Sequence, residues 1–573
     1  MEDFMDLAGT ALAMATLIGS FNSDIRLVWP QWKYKCLTFS YDDATVYDRK
    51  LVEIFNRYGM KGTFNVSSNR LDRERYLSIS EIAELYAGHE IACHGKNHLR
   101  MPDISSAEQE REIVDDINSL SRVAGYPVLG FAYPYAKTSP ELVKNLQKQH
   151  IAYARICNPT GDFRLPDALY LWAPTGHHKH NIAEIADRYK DYNPWGGVIS
   201  LCYIWGHSYE FNRDNNWHVI EEFCQKLAHH SDIWYASNIE IVRYLQAYRS
   251  AASSLDCTRF CNTSAVTLYL MVNGQKVKLA PGETLRVDSS GSAAIAPRSA
   301  DSLPVPAVVP ADRMIFYPDG SRKALAFSYD DGGANDERLA VLLKKYNCKG
   351  SFNFSGRKLL ENPAQTAWYQ DHEIATHGLR HTTATLASPN QILHDIVLDR
   401  KVLETLSERI VNGHAWPNGS TFGAPEFAQD ILSKSGIIYA RGTRSTNAFE
   451  LPENLMCWEP TAKAVPAALD EISSNFAAEG VDGELKLCTV WGHSWEYKEE
   501  SDWQALEKFC ADWSKKNVWR ASFGEIARYI LAVRSLEWTP DRKMVRNPSC
   551  ETIYMGKAGK LCMLRPGEII TFQ

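Results

Sequence analysis

The chain has 573 residues, a formal net charge of −7 at pH 7, and a composition that is 45% hydrophobic and 23% charged. This length predicts two domains or slightly more, and the apolar content is enough for sizeable cores, which excludes disorder over most of the chain. The negative charge, without a basic block, gives no support for nucleic-acid binding.

An apolar stretch near the N-terminus, residues 7–21, is too short to span a bilayer. Acidic residues precede it, namely Glu2, Asp3 and Asp6, whereas a secretory signal needs a positively charged start. We therefore expect no signal peptide and no membrane span, and a cytoplasmic location is favoured. A secreted protein is the alternative if the N-terminus is misassigned.

The thirteen cysteines are odd in number and do not form a dense framework. Some recur at matched positions of apolar runs, as Cys202 does with Cys488, which indicates buried free thiols and a reducing compartment. A single bridge between Cys257 and Cys261 is the alternative.

The sequence repeats itself at an offset of about 283 to 288 residues. Residues 39–43, Phe-Ser-Tyr-Asp-Asp, return unchanged at 327–331, and Ile-Trp-Gly-His-Ser at 204–208 returns as Val-Trp-Gly-His-Ser at 490–494. A period this long indicates a duplicated domain. The chain is thus its own two-sequence alignment, in which packing residues and functional residues are both retained.

Within the first copy, short β-rich runs alternate with helical patterns. Strands are predicted over residues 35–40, 62–66 and 198–205, and helices over residues 47–58, 78–87 and 105–124. Alternation of this kind predicts a parallel sheet, closed as a barrel, with functional residues where the strands end. The acidic pair and the Trp-Gly-His segment both lie at such ends.

A different residue pattern follows each α/β unit. Residues 264–287 and 550–572 predict short strands with tight turns, which we interpret as a small β appendage packed on its own barrel, a sugar-binding module being the alternative. The predicted domains are an N-terminal segment (1–30), the first α/β unit (31–250), the first appendage (251–288), a Ser/Ala/Pro-rich linker (289–311), the second α/β unit (312–536) and the second appendage (537–573).

Each copy carries an Asp-Asp pair followed by His-x-x-x-His. Two histidines four apart point the same way, and a carboxylate from another strand completes a site with room for water and substrate. Zn²⁺ suits these ligands best, with Co²⁺, Ni²⁺ or Fe²⁺ as alternatives. The predicted ligands, for one metal ion per domain, are Asp43, His94, His98, Asp331, His377 and His381.

In order along each copy come Ser-Tyr-Asp-Asp, a His-x-x-x-His, a Pro-containing turn and Trp-Gly-His. This order resembles the polysaccharide deacetylases of the NodB-homology type, carbohydrate esterase family 4, over residues 30–250 and 315–535. The resemblance implies two tandem distorted seven-stranded (β/α) barrels. It also implies metal-dependent removal of acetyl groups from an N- or O-acetylated carbohydrate.

Roles for further residues are implied by the same resemblance. It implies general bases at Asp42 and Asp330, proton-donating acids at His207 and His493, and oxyanion-binding backbone N–H groups at Tyr135 and Asn418. A buried histidine that satisfies a backbone carbonyl is the alternative for His207 and His493.

The sequence departs from the family pattern before the motif proline. Family members commonly carry an arginine there that positions the base, whereas Phe131-Ala132-Tyr133 and His414-Ala415-Trp416 occupy the place here. Arg155 and Arg441 are retained in both copies, and we hypothesise that they substitute. A structural ion pair is the alternative.

Four aromatic residues are candidates for stacking on a sugar ring, with burial in the core as the alternative: Trp172, Trp458, Tyr133 and Trp416. A cluster of His177, His178 and His180 belongs to the first copy alone, and Lys463 takes the place of His177 in the second. The two sites therefore differ in substrate preference, or one is chiefly a scaffold.

Two other functions remain open. One is hydrolysis of a small non-sugar amide or imide by the same fold, and the other is non-catalytic carbohydrate binding. Neither copy lacks a base, ligand or acid, which favours a hydrolase. The expected partner is an acetylated carbohydrate substrate; the oligomeric state is not set by the sequence.

Overall fold

A computed structural model describes residues 24–193, 197–297, 312–384, 387–419, 425–481 and 483–573. The predicted N-terminal segment up to residue 23, and the predicted linker from residue 298 to 311, lie outside these residues. Among the described residues, no helix combines the length and apolar character needed to cross a membrane.

The first unit is built on a curled parallel sheet. A short strand outside this sheet, β1 (Ile25–Val28), comes first. The strands of the sheet are β2 (Lys35–Asp42), β3 (Gly62–Val66), β4 (Glu90–Cys93), β5 (Gly130–Ala132), β6 (Tyr153–Arg155), β7 (Gly176–His177), β8 (Ser200–Gly206) and β9 (Ile233–Tyr235). The order across the sheet is β6-β5-β4-β3-β2-β8-β7, and β9 pairs with β2. The prediction of a distorted barrel with seven parallel strands is confirmed.

The connecting helices are α1 (Asp48–Arg57), α2 (Ile82–Leu85), α3 (Ser106–Ala124), α4 (Pro140–Lys148), α5 (Ile182–Asp191), α6 (Ser208–Arg213), α7 (His218–Leu227) and α8 (Asn238–Arg249). Helix α3 starts at a capping box between Ser105 and Glu108 and ends at Gly125 in the left-handed conformation. The helix predicted over residues 78–87 is only the single turn α2, because the chain turns again at Gly88, with φ of 85°.

The first appendage consists of β10 (Ala252–Ser253), β11 (Arg259–Cys261), β12 (Leu268–Val272), β13 (Gln275–Leu279), β14 (Thr284–Val287) and β15 (Ala293–Ala296). These form two antiparallel sheets, β1-β12-β13 and β10-β11-β14-β15. Strand β1 pairs with β12, with Ile25 opposite Val272, so the start of the unit is hydrogen-bonded to its end. The assignment of residues 293–296 to the linker is wrong, since they pair along β14.

The second unit repeats this plan. Its strands are β16 (Ile315–Phe316), β17 (Lys323–Asp330), β18 (Gly350–Phe354), β19 (Glu373–Thr376), β20 (Gly413–Ala415), β21 (Tyr439–Arg441), β22 (Ala462–Lys463), β23 (Lys486–Gly492) and β24 (Trp519–Arg520). They follow the order β21-β20-β19-β18-β17-β23-β22, with β24 beside β17. Its helices are α9 (Asp336–Lys345), α10 (Gly356–Glu361), α11 (Pro389–Ser407), α12 (Pro425–Lys434), α13 (Pro466–Ala478), α14 (Glu500–Ser514) and α15 (Phe523–Arg534).

The second appendage contains β25 (Glu537–Trp538), β26 (Met544–Arg546), β27 (Ile553–Lys557), β28 (Lys560–Leu564) and β29 (Ile569–Thr571). It meets the first appendage in a reciprocal backbone pairing. The N–H of Ala265 donates to the carbonyl of Pro548 at 2.8 Å, and the N–H of Cys550 donates to that of Thr263 at 2.9 Å. Because the partners are matched positions of the repeat, this contact is approximately twofold symmetric. Each appendage therefore packs on more than its own barrel.

The cysteines that recur at matched positions, Cys202, Cys224, Cys488 and Cys510, are buried free thiols. The alternative bridge between Cys257 and Cys261 is not formed.

Candidate active sites

The acidic pair marks the end of the central strand in each unit. Strand β2 ends at Asp42 and β17 at Asp330, and both side chains are buried. The next residues, Asp43 and Asp331, have φ of 81° and 73°. Non-glycine residues rarely adopt this left-handed conformation, and those that do cluster at functional sites. The turn directs the second carboxylate away from the sheet and into the cleft.

A buried arginine holds each first carboxylate. The Nη2 atom of Arg155 donates to both oxygens of Asp42, at 2.7 and 2.5 Å, and Arg441 contacts both oxygens of Asp330 in the same way. Both guanidinium groups are fully buried. The structure thus brings together the residues that the sequence proposed as a substitute for the missing motif arginine.

An asparagine missed by the sequence analysis completes this arrangement. Asn65 donates to Asp42 Oδ1 at 2.8 Å, and Asn353 donates to Asp330 Oδ1 at 2.9 Å. Both follow an aromatic residue on the neighbouring strand, in register with the acidic residue. Their repetition in both copies was the signal available in the sequence.

These contacts set the charge of the carboxylates. Burial by itself raises the pKa of Asp42, but the Arg155 charge, with His94 and His207, outweighs it and lowers that pKa to about 2. The pKa of Asp330 is lowered in the same way, burial being overcome chiefly by Arg441. Both carboxylates are therefore ionised at neutral pH, as a general base must be.

The histidine pairs present their Nε2 atoms to the cleft. The Nδ1 atom of His94 lies 2.8 Å from the carbonyl oxygen of Ala132, and Nδ1 of His377 lies 2.8 Å from that of Ala415. A carbonyl oxygen can only accept, so Nδ1 carries the proton and Nε2 keeps its lone pair. Burial also lowers the pKa of His94 to about 4, which keeps the ring neutral.

The donor atoms of each predicted triad converge. In the first unit His98 Nε2 lies 3.3 Å from Asp43 Oδ1. In the second, Nε2 of His377 and of His381 lie 3.7 and 3.5 Å from Asp331 Oδ1. Within each triad all three donor atoms lie within 4.8 Å of one another. Two neutral imidazoles and a carboxylate fit a divalent metal ion.

A carboxylate behind each triad orients the first histidine. Asp116, on α3, accepts the backbone N–H of His94 at 3.2 Å, and Asp399, on α11, accepts that of His377 at 2.9 Å. Each lies 22 residues after its histidine. This equal spacing in the two copies was the signal that could have found them.

The predicted acids lie at the ends of β8 and β23, facing the acidic pair. His207 Nε2 is 3.9 Å from Asp42 Oδ2 and 4.0 Å from Asp43 Oδ2, and His493 Nε2 is 3.7 Å from Asp331 Oδ2. Burial lowers the pKa of His207, but Glu210, Asp42 and Asp43 outweigh it and raise the net value. This imidazole therefore holds its proton more readily than usual.

A glutamate that the sequence analysis missed lies behind each acid. His207 Nδ1 is 3.5 Å from Glu210 Oε2, and His493 Nδ1 is 3.4 Å from Glu496 Oε1. Both glutamates follow their histidine by three residues, so the full repeated motif is Trp-Gly-His-Ser-x-Glu. They turn the Nε2 side of each ring towards the cleft.

The polysaccharide deacetylase family matches the chain twice, over residues 31–154 and residues 318–439. Each match contains an acidic pair, a histidine pair and the strands that hold them. Each unit therefore carries a region that matches the polysaccharide deacetylase family.

Solved structures with similarity to the chain include three from bacteria. The Streptococcus pyogenes deacetylase PplD in complex with acetate is 18% identical, over 21% of this chain and 55% of that one, with a TM-score of 0.21. A putative polysaccharide deacetylase from Mycobacterium smegmatis is 18% identical, over 39% of this chain and 94% of that one, with a TM-score of 0.30. A family 4 carbohydrate esterase from Streptomyces lividans in complex with acetate is 14% identical, over 35% of this chain and 91% of that one, with a TM-score of 0.27. The chain thus spans about half the length of the Streptococcus protein. No curated protein matches it.

In both deacetylase domains the residue after the motif proline also has a left-handed backbone. Tyr135 has φ of 57° and Asn418 of 56°. The Tyr135 ring lies against His98, with 4.7 Å between ring centroids, and Asn418 donates to Thr383 Oγ1 at 2.7 Å. Tyr135 therefore borders the candidate metal triad of its domain, whereas Asn418 contacts Thr383, two residues after His381.

The prediction that four aromatic residues stack on substrate is wrong. Each is 1 or 2% exposed and packs inside its deacetylase domain, so no ring face is open to a sugar: Trp172, Trp458, Tyr133 and Trp416. Trp172 instead packs on Tyr203, at 4.9 Å between centroids. Repetition in the sequence identified these large aromatic residues, but it does not indicate whether a side chain points into the core or into the cleft.

The histidine cluster of the first deacetylase domain gathers around Glu210. The Nε2 atoms of His177 and His178 lie 3.3 and 3.2 Å from Glu210 Oε2, whereas His180 is exposed. In the second domain Lys463 lies 2.5 Å from Glu496 instead. The two sites therefore differ behind their acids.

Proposed function

We propose that each domain removes acetyl groups from an N- or O-acetylated glycan or amino sugar, with a bound divalent metal ion. The observation that carries this proposal is the convergence, in both copies, of an ionised buried aspartate, an open two-histidine and one-aspartate triad, and a histidine acid. In the first domain these are Asp42, the triad of Asp43, His94 and His98, and His207.

The triads Asp43, His94, His98 and Asp331, His377, His381 would hold the metal, for which Zn²⁺ is the best match to imidazole and carboxylate donors. A bound divalent ion supplies Lewis acidity, which polarises the acetyl carbonyl and lowers the pKa of a water molecule. The Nε2 atoms of His94 and His377, left unprotonated by the carbonyl contact at Nδ1, would be available to such an ion.

The protein residues then move two protons. Asp42, held in place by Arg155 and Asn65, accepts a proton from the water whose oxygen attacks the acetyl carbon. As the bond from that carbon to the sugar nitrogen or oxygen breaks, His207 gives its Nε2 proton to the departing atom. Acetate and a free amine or hydroxyl are the products.

Charge that develops on the acetyl oxygen needs a donor in the cleft. The resemblance to the family assigns this to the backbone N–H of Tyr135 and of Asn418, both of which have a left-handed backbone. A preorganised backbone donor of this kind is worth about 2.7–4 kcal/mol of transition-state stabilisation. Since the backbone supplies it, the Tyr-for-Asn difference does not remove it.

The test compares acetate release by the wild type with that of Asp42→Asn, Asp330→Asn and the double variant, after metal has been stripped and restored. Substrates are acetylated chito-oligosaccharides, peptidoglycan fragments and acetylxylan. We expect metal-dependent release that falls partly in each single variant and is lost in the double variant. Unchanged release by the double variant would refute the proposal. Metal binding without acetate release from any glycan would favour a small amide or imide as substrate.

A further inference from the structure

Among the described residues, each domain exposes one large aromatic ring beside a histidine of its candidate site, and the two rings occupy different places. In the second domain Trp495 is 51% exposed, and in the first Tyr135 is 55% exposed. Tyr and Trp are enriched at binding surfaces because their rings combine a large apolar face with a polar group, and each of these two rings lies against a histidine of its candidate site.

Trp495 lies on the acid of its domain. Its ring stacks on His493 with 4.7 Å between centroids and an angle of 28° between the planes. One face of the indole thus covers the imidazole, and the exposed fraction belongs to the rest of the ring. The matched residue of the first domain, Tyr209, is only partly exposed and is tilted by 44° against His207, at 5.2 Å.

Tyr135 lies instead on the metal triad of its domain. Its ring meets His98 nearly edge-on, with 4.7 Å between centroids and 72° between the planes. The matched residue of the second domain is Asn418, which has no ring and is tied to Thr383. The aromatic surface is therefore beside the metal triad in the first domain and beside the acid in the second.

We propose that Tyr135 and Trp495 are the sugar-stacking residues of the two clefts, so that the domains hold a glycan at different places relative to the acetyl group that is cleaved. This rests on the proposed function and adds to it a division of specificity between the copies. A pyranose ring presents flat C–H faces that match an exposed aromatic face. We expect the loss of such a contact to weaken affinity by up to about tenfold, which corresponds to about 1.4 kcal/mol.

The chain offers its own control substitutions. Trp495→Tyr and Tyr135→Asn each introduce the residue that the other copy carries at the matched position, so each is compatible with the fold. Asn also adopts the left-handed backbone of position 135 readily. Each variant is made in a chain whose other domain is silenced, by Asp42→Asn for Trp495 and by Asp330→Asn for Tyr135.

Kinetics separate stacking from positioning. A stacking residue contributes to substrate binding, so we expect Trp495→Ala to raise KM for an acetylated chito-oligosaccharide about tenfold with kcat little changed, and Trp495→Tyr to raise it less. Tyr135→Asn should raise KM of the first domain to a similar degree. A fall in kcat at unchanged KM would show that these rings only orient the histidines, and would overturn the proposal.

Binding without turnover separates this proposal from the proposed function. In the Asp42→Asn/Asp330→Asn chain, titration with the same oligosaccharide should quench the fluorescence of Trp495, and Trp495→Ala should weaken binding measured by calorimetry. Loss of affinity in Trp495→Ala supports the stacking role even if no acetate is ever released. Equal affinity with and without both rings would overturn it.

Discussion

Arg155 and Arg441 decide the charge of the two catalytic carboxylates. Each is fully buried and bonds both oxygens of its aspartate. The arginine lies on the strand at one edge of the sheet, β6 or β21, whereas the aspartate ends the central strand, β2 or β17. One guanidinium therefore both fixes the orientation of the base and keeps it ionised.

Removing this charge should shift the pH dependence of the reaction. In an Asp330→Asn background, Arg155→Met removes the charge that does most to lower the pKa of Asp42. Burial, which raises that pKa, is then opposed by the two histidines and the Asn65 hydrogen bond alone. Since the pKa of Asp42 is about 2 with the arginine present, the acid limb of kcat/KM should move to higher pH, by at least about one unit. The measurement is kcat/KM for acetate release between pH 3 and pH 9, a range that lies above the acid limb set by Asp42 in the presence of Arg155 and into which the limb of Arg155→Met should move.

Two further variants act as controls for this shift. Arg155→Lys keeps a positive charge and should move the acid limb less, although it loses the bidentate contact. Arg441→Met in the same background alters only the silenced domain and should leave the profile in place. An acid limb that does not respond to Arg155→Met would show that another group protects the base.

At the scale of elements, the sequence predicts strands better than it predicts the direction of side chains. The predicted strand over residues 62–66 matches β3 residue for residue, and Asp42 and Asp43 lie at the strand end where alternation placed them. Repetition identified the ligands because two histidines four apart have few other reasons to recur after an acidic pair. Trp172 was misassigned because the sequence alone does not distinguish a buried tryptophan from an exposed one.

Buried tryptophans beside the sheet should affect stability more than substrate binding. Trp172 packs against Tyr153 and Tyr203, so Trp172→Ala should cost about 3–5 kcal/mol of unfolding free energy. Trp172→Phe should cost less and leave KM for the first domain unchanged. Urea unfolding measures the first quantity and acetate release the second. A raised KM with unchanged stability would restore the role in sugar binding.

At the scale of the whole molecule, a buried ion pair of the second domain holds the appendage of the first. Arg400, on α11, donates to Glu404 Oε1 at 2.9 Å and to the carbonyl of Ser253 at 2.5 Å. The other oxygen of Glu404 accepts the N–H of Leu255 at 2.9 Å. These contacts tie the two copies together, as do the backbone hydrogen bonds that Ala265 donates to Pro548 and Cys550 donates to Thr263.

Breaking that pair should loosen the link between the copies. Arg400→Met leaves a buried carboxylate without its partner, which should cost about 3–5 kcal/mol and separate the thermal unfolding of the two copies into distinct calorimetric transitions. Arg400→Met/Glu404→Gln should recover part of the loss, because no buried charge remains and the amide oxygen can still accept the Leu255 N–H. An exposed pair provides the comparison: Lys508→Ala removes a surface contact to Asp470 and should cost less than about 1 kcal/mol. A single unchanged transition in Arg400→Met would contradict this.

The pairing of β1 with β12 has a consequence for how the chain is made. Ile25 lies opposite Val272, so the first strand of the unit has no partner until its far end has left the ribosome. At about 5–20 residues per second, that delay is on the order of 12–50 s. The second unit repeats the arrangement, with Ile315 opposite Met555. During synthesis, each copy in turn therefore exposes an unpaired edge for tens of seconds, which is a natural point for a chaperone to bind.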